Sequence, residues 1–137
     1  MYIDKNPHQR VSSNMNFLKK NIVLIFYSYL VLVFLLHILP VNGQNSVLNN
    51  NYIFKIRLDY IGHFILFGLL SWLGLIYWKL RNQNIYITIT IIVFLALGYE
   101  IIQYFIPWRT FNINDLVANG VGMGLGMIVF FLFIKFF

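Results

Sequence analysis

The residues that could do chemistry in this chain come as three spaced pairs: Asp59 with His63, Glu100 with Gln103, and Asp115 with Asn119. Their separations are four, three and four residues, so on helices each pair shares a face and presents a carboxylate beside an imidazole or an amide. Such a set can hold and pass a proton, and it can hydrogen-bond a polar ligand. Glu100, His63 and Asp59 are therefore the candidate proton-handling, catalytic groups. Arg109, Gln103, Asp115 and Asn119 are the candidate ligand-binding groups, with Arg109 the cation suited to a phosphate or carboxylate. The chain has no cysteine, which excludes a thiol nucleophile and a Cys-based zinc site. One histidine among carboxylates is a poor zinc set. A metal would more naturally be Mg²⁺ or Ca²⁺ on Asp59, Glu100 and Asp115, but the expectation is no metal and no cofactor. His37 falls near the same level with no partner on its own segment, and reads as a packing or interfacial histidine.

The elements that must position these groups follow from composition. Of 137 residues 60% are hydrophobic and only 10% charged, which is far from a soluble domain. A bilayer core takes roughly 20 apolar residues per spanning helix, so the length accommodates four spans and short connections. The chain accordingly predicts an all-α membrane protein, a four-helix antiparallel transmembrane bundle with both termini cytoplasmic. Residues 1–20, with Lys5, Arg10, Lys19 and Lys20, read as a loosely ordered basic tail, and residues 21–137 as the transmembrane domain. The spans are expected at Ile22–Leu39, Tyr60–Trp78, Ile85–Ile106 and Leu116–Ile134. An Asn-rich exposed loop over 41–57, with an interfacial stretch around 47–54, would join the first two. Pro40 and Pro107 end the first and third spans. The β-branched run near 85–93 does not alternate polar with apolar residues, so a barrel strand is set aside.

Seven Lys and Arg residues fall on the side of the termini and three, Lys55, Arg57 and Arg109, on the other. The positive-inside rule then puts the termini in the cytoplasm and the three pairs together at the outer leaflet. The net charge of +6 is explained by these basic flanks, and no nucleic-acid partner is expected. A rival reading makes the first apolar run a signal peptide with a cleavage site at Val41-Asn42-Gly43, although the run is longer than a usual signal core. On the last span Asp115, Asn119, Gly122 and Gly126 form one stripe. The glycines Gly120, Gly122, Gly124 and Gly126 are expected to serve helix packing rather than nucleotide binding, since no βαβ unit surrounds them.

The order Asp59-x-x-x-His63-Phe64, Glu100-x-x-Gln103 with Pro107-x-Arg109, then Asp115-x-x-x-Asn119-Gly120 followed by Gly124 resembles the VanZ-like membrane protein family over about residues 58–126. The resemblance implies a small multi-span protein of the bacterial or archaeal cytoplasmic membrane, in a family whose named member is linked to low-level resistance to the glycopeptide teicoplanin. It implies no defined reaction. The basic tail and the Asn-rich loop lie outside what the resemblance explains.

Intramembrane ionisable groups are expensive and point to function by default. The first expectation is recognition or modification of an anionic cell-envelope component. The alternative is a non-catalytic scaffold, or a lipid- or partner-binding protein, whose polar groups tie helix ends together. A small transporter is third, because the polar groups sit near one end instead of the midplane. Ser71, toward the other leaflet, offers no nucleophile to the cluster. Expected partners are membrane lipids and an anionic envelope ligand, with a homo-oligomer left open.

Overall fold

The computed structural model describes residues 7–39, 51–109 and 111–136. Helix α1 spans Pro7–Ile38, a two-stranded hairpin pairs β1 (Tyr52–Ile53) with β2 (Ile56–Arg57), and α2 (Leu58–Arg81), α3 (Ile85–Tyr104) and α4 (Ile113–Phe136) follow. Among the described residues four helices are long and apolar enough to cross a membrane: Asn16–Ile38, Leu58–Arg81, Ile85–Tyr104 and Ile113–Lys135. At about 1.5 Å per residue each exceeds or matches the roughly 30 Å hydrocarbon core. The chain is a multi-pass, four-helix membrane protein.

Two local expectations are corrected. Residues 7–20, expected as a loose tail, continue α1 instead. Proline is tolerated in a first helical turn, where its missing N–H is not needed, and no further proline or glycine interrupts the run before Ile38. The connection before the second span was expected to be irregular, yet residues 52–57 form an antiparallel hairpin with Tyr52 opposite Arg57 and Ile53 opposite Ile56. Phe54 and Lys55 turn it at φ 50° and 68°, left-handed values usually supplied by Asn-Gly. Neither residue type announces such a turn. Pro40, the 41–43 tripeptide and the rest of 41–50 lie outside the described residues, as do residues 1–6.

The helix ends between spans are set by short polar residues. Asn84 caps α3 by accepting from the Tyr86 amide at 2.9 Å, and Asn112 does the same for α4 from the Asn114 amide at 3.1 Å. Asn82 stops α2 in the left-handed region at φ 53°, which asparagine tolerates better than most residues.

The most extensive helix contact is between α2 and α4. It depends on glycine: a Cβ on Gly122 would collide with the Phe64 carbonyl, and one on Gly126 with the Gly68 carbonyl and the Ser71 hydroxyl. With no water to drive apolar surfaces together inside a bilayer, such close backbone approach is a main source of helix affinity. Ser71 adds a polar stitch, its Oγ donating to Met123 O at 2.9 Å across the seam and to Gly68 O at 3.1 Å. Phe26 and Val33 of α1 and Ile92, Ala96 and Tyr99 of α3 close over Phe67 and Leu70 to form the core. Tyr29 Oη ties α1 to the Leu66 carbonyl at 2.9 Å. The outer faces stay apolar and exposed, as at Leu24, Phe94 and Val121, which suits lipid contact.

Candidate functional site

The antiparallel order brings the start of α2, the end of α3 and the start of α4 to one end of the bundle, and the three spaced pairs arrive there together. Asn119 is the hub. It is fully buried, its Oδ1 lies 3.0 Å from His63 Nδ1, and its Nδ2 donates to Glu100 Oε1 at 3.2 Å. His63 Nδ1 is also 3.5 Å from Glu100 Oε1, and His63 Nε2 is 3.8 Å from Asp115 Oδ2. One imidazole thus stands between two carboxylates on different helices. The amide works in both directions: since Nδ2 donates to Glu100, Oδ1 is left to accept, and His63 must carry its proton on Nδ1 in the neutral form.

Asp59 is drawn away from this hub. It accepts from both Nε and Nη2 of Arg57, the residue at the N-terminal edge of α2, and its Oδ1 also accepts from the Tyr60 amide at 2.9 Å. A bidentate guanidinium–carboxylate pair is geometrically selective, so Asp59 is committed to Arg57 rather than to His63. The burial of Arg57 works against its charge, but the charge of Asp59 and its hydrogen bond outweigh that and raise the Arg57 pKa. The three acids consequently do not converge as an oxygen cage for a hard cation.

Arg109 lies in the connection between α3 and α4 and is buried. Its Nη2 donates to the Leu36 carbonyl, while Trp108 Nε1 donates to the Ile38 carbonyl at 3.0 Å. Both satisfy carbonyls at the end of α1 that the helix itself leaves open, so this connection is latched onto the first span. Burial lowers the Arg109 pKa, countered by Asp115 and Glu100 nearby. Gln103 is also buried at this end, with Nε2 unpartnered. Of the two cations at this end, Arg57 is the more accessible, with its side chain 27% exposed, and Arg109 is buried.

His37 departs most from its expected role. It is 3% exposed, its Nδ1 bonds the Val33 carbonyl at 2.7 Å, and its ring meets His63 edge-on at 5.2 Å and stacks on Tyr99 at 4.9 Å. It belongs to the cluster. Buried atoms without a hydrogen-bond partner gather here too: His37 Nε2, Glu100 Oε2, Gln103 Nε2 and Arg109 Nε. Buried polar groups are almost always satisfied, and of the five unpartnered buried atoms among the described residues only Trp72 Nε1 lies away from this end.

The packing glycines divide. Gly122 and Gly126 sit in the α2–α4 seam, but Gly120 and Gly124 have open space where a Cβ would go and contribute no close approach. The stripe through Asp115, Asn119, Gly122 and Gly126 is the buried one. Beside it, α2 and α4 flank an open groove of about 730 Å³, lined by Ile56, Ile61, Phe64, Val117 and Val121, with Tyr60 and Asn114 among its walls. Sequence reasoning passed over Tyr60, Asn112 and Asn114. The only signal was three polar residues within a turn of the expected helix starts, which reads as ordinary capping.

Fold and site together define a four-span membrane protein with a cluster of buried polar side chains at one end of its bundle. The VanZ/LLP1 family model matches residues 6–134, and the chain belongs to the VanZ/LLP1 family. The match is wider than the motif region and takes in the basic N-terminal helix and the Asn-rich connection. A protein of Schizosaccharomyces pombe described as uncharacterised is 36% identical over 81 residues, an alignment covering 56% of this chain and 49% of that relative. The chain thus spans about half the length of the curated relative it matches. No solved structure matches it.

Proposed function

We infer that this protein binds an anionic membrane amphiphile, its acyl chain in the groove between α2 and α4 and its charged head group at the polar end of the bundle. The observation that carries this reading is the surplus of donors around Tyr60. Its phenolic oxygen receives Arg57 Nη1 at 3.0 Å and the side-chain amides of Asn112 and Asn114 at 3.3 Å each. A phenolic oxygen has two lone pairs, so three N–H groups aimed at it exceed what it can accept. The oxygens of a phosphate or carboxylate would take the excess, with Arg57 adding charge. Tyr60 also lines the apolar groove, so the donor set and the groove share a wall. Asn112 continues the web to Asp115 Oδ1 at 3.2 Å, which links the head-group position to the buried carboxylate–imidazole cluster behind it.

That cluster supplies the proton-handling side of the reading: Glu100 and His63 would act on a ligand seated at the mouth. The Lys and Arg distribution supports cytoplasmic termini, a polar end at the outer leaflet and, in a bacterial cell, residence in the cytoplasmic membrane. An envelope lipid or lipid-linked precursor is then the ligand, and teicoplanin susceptibility is the narrowest form of the proposal. The yeast relative favours the broader form, an anionic head group common to many membranes. The second reading, a non-catalytic latch, draws on Asn119 joining α2, α3 and α4 through His63 and Glu100.

Binding is tested by native mass spectrometry of the detergent-solubilised protein with phosphatidylglycerol and phosphatidylcholine of matched chains. Preferential retention of the anionic lipid, falling roughly tenfold in Arg57→Gln, is expected; equal retention of the two lipids discards the proposal. Glu100→Gln separates the readings. If susceptibility or envelope chemistry changes while thermal stability in detergent holds, the cluster acts on the ligand; if stability falls in parallel, it is a latch. Orientation is read by placing single cysteines at Asn112 and Asn82 and labelling intact cells with an impermeant maleimide. Labelling at position 112 alone is expected, and labelling at 82 alone moves the site to the cytoplasmic face.

A further inference from the structure

The groups at the centre of the polar end include a donor set that the lipid-binding reading does not use. His37, His63 and Glu100 each offer one ligand atom, and the three atoms lie within 4.8 Å of one another. All three side chains are buried, at 3%, 6% and 1% exposure. They come from three different helices, so the backbone of the bundle fixes their spacing.

We propose that His37, His63 and Glu100 form a binding site for a divalent transition-metal ion of the zinc type. The first argument is tautomeric. Each imidazole has its Nδ1 engaged by a carbonyl oxygen, the Val33 backbone for His37 and the Asn119 side chain for His63. A neutral imidazole carries one proton, and a hydrogen bond from Nδ1 to an acceptor leaves the Nε2 lone pair free. This is how proteins orient metal-binding histidines: one ring nitrogen is held by an oxygen so that the other faces the ion.

The second argument is the unpartnered atoms. His37 Nε2 and Glu100 Oε2 are buried and have no hydrogen-bond partner. Leaving such groups unsatisfied in a bilayer is costly. An ion would satisfy both at once. The donors also fit its chemistry: two imidazoles and a carboxylate suit zinc, whereas Mg²⁺ and Ca²⁺ prefer all-oxygen shells. Tetrahedral donors at 2.0–2.2 Å from an ion stand roughly 3.4 Å apart. The present donors, within 4.8 Å of one another, would close to that spacing by side-chain rotation on binding. Three protein ligands leave a fourth position open, toward Asp115, whose Oδ2 is 3.8 Å from His63 Nε2.

Metal content decides the matter without an assay of activity. The full chain, carried on a tag without histidine, is purified in detergent, stripped with chelator, incubated with Zn²⁺ or Co²⁺ together with excess Mg²⁺, and desalted. About one Zn²⁺ or Co²⁺ per chain should remain, the cobalt form with visible d–d bands of a four-coordinate site. Retention below a tenth of that ratio, or retention of Mg²⁺ in its place, overturns the proposal. His37→Ala/His63→Ala should abolish binding, and His8→Ala, which removes the chain's other histidine, should leave it unchanged. Full binding by the double variant overturns the assignment of these ligands. Should the double variant fail to fold, Asn119→Ala keeps every ligand and removes the two bonds that orient them, from Oδ1 to His63 and from Nδ2 to Glu100; its affinity should fall roughly 10–100-fold. An unchanged affinity there equally removes the proposed site.

Discussion

The α2–α4 seam and the polar end are built from adjacent turns of the same two helices and obey opposite rules. In the seam, Gly122 and Gly126 bring backbones into contact with Phe64 and Gly68, and the Ser71 hydroxyl has its partners. In the adjoining turn, at Asp59–His63 and Asp115–Asn119, the space between helices is filled by polar side chains, and several of their neighbours' atoms go unsatisfied. Inside a bilayer the first arrangement gives affinity by van der Waals fit, and the second is expensive. A tight seam holds the helices together, while the polar end keeps buried groups that find no hydrogen-bond partner among the described residues.

The largest expected effect breaks the seam. Gly122→Leu drives a side chain into the Phe64 carbonyl, a backbone group that cannot turn aside. Overpacking in a fitted interface destabilises by about 1–3 kcal/mol, and a backbone collision belongs at or above the top of that range. Denaturant unfolding in detergent should show a loss of about 3 kcal/mol or no folded protein. Wild-type stability would mean that the seam is not what holds the bundle, and the contrast with the polar end would fail.

Glu100→Gln probes the other side. The swap keeps shape and removes a buried carboxylate, so the fold should lose little stability and can gain some, because a buried charge is a weak source of it. An unfolding free energy within about 1 kcal/mol of wild type is expected. A loss as large as that of Gly122→Leu would make the polar end a structural clamp. Ser71→Ala comes next in size. It removes the hydroxyl shared between Gly68 O and Met123 O, and interhelical hydrogen bonds in membranes average about 0.6 kcal/mol with a maximum near 1.7. A loss of about 1 kcal/mol is expected, and a larger one would show that the seam rests on polar stitching more than on glycine contact.

These contrasts were unevenly legible in the sequence. Spans two to four could be placed within a few residues because uncharged apolar runs of bilayer length have few other uses. The three spaced pairs pointed at one another because i,i+4 spacing and alternating span direction are both readable without coordinates. His37 was not readable as a member: its neighbours Tyr99 and His63 lie on other helices, and helix rotation decides whether a lone histidine faces lipid or the bundle. The partner of Asp59 is equally hidden in the sequence. Arg57 and Arg109 both fall on the right side of the membrane, and only the turn geometry shows Arg57 folding back onto Asp59 while Arg109 reaches the end of α1. The 52–57 hairpin left no sign because Phe54 and Lys55 stand at turn positions normally marked by Asn or Gly.

The smallest expected effect sharpens the comparison most finely, because it uses the same residue type on the same helix. Gly120 and Gly124 alternate in sequence with Gly122 and Gly126, yet an added Cβ meets nothing within 4 Å at either of the first two. In a single bundle, Gly124→Ala should raise stability by about 0.5–1 kcal/mol, the helix-interior advantage of alanine over glycine, with no change in ligand or metal binding. The face bearing Gly120 and Gly124 is otherwise apolar, with Val117 and Val121 exposed to the surroundings. Small residues on a lipid-facing helix also suit close approach by a second helix. If Gly124→Ala instead destabilises the protein and shifts its sedimentation from dimer to monomer, a second copy covers this face, and α4 uses glycine on both sides for the same purpose.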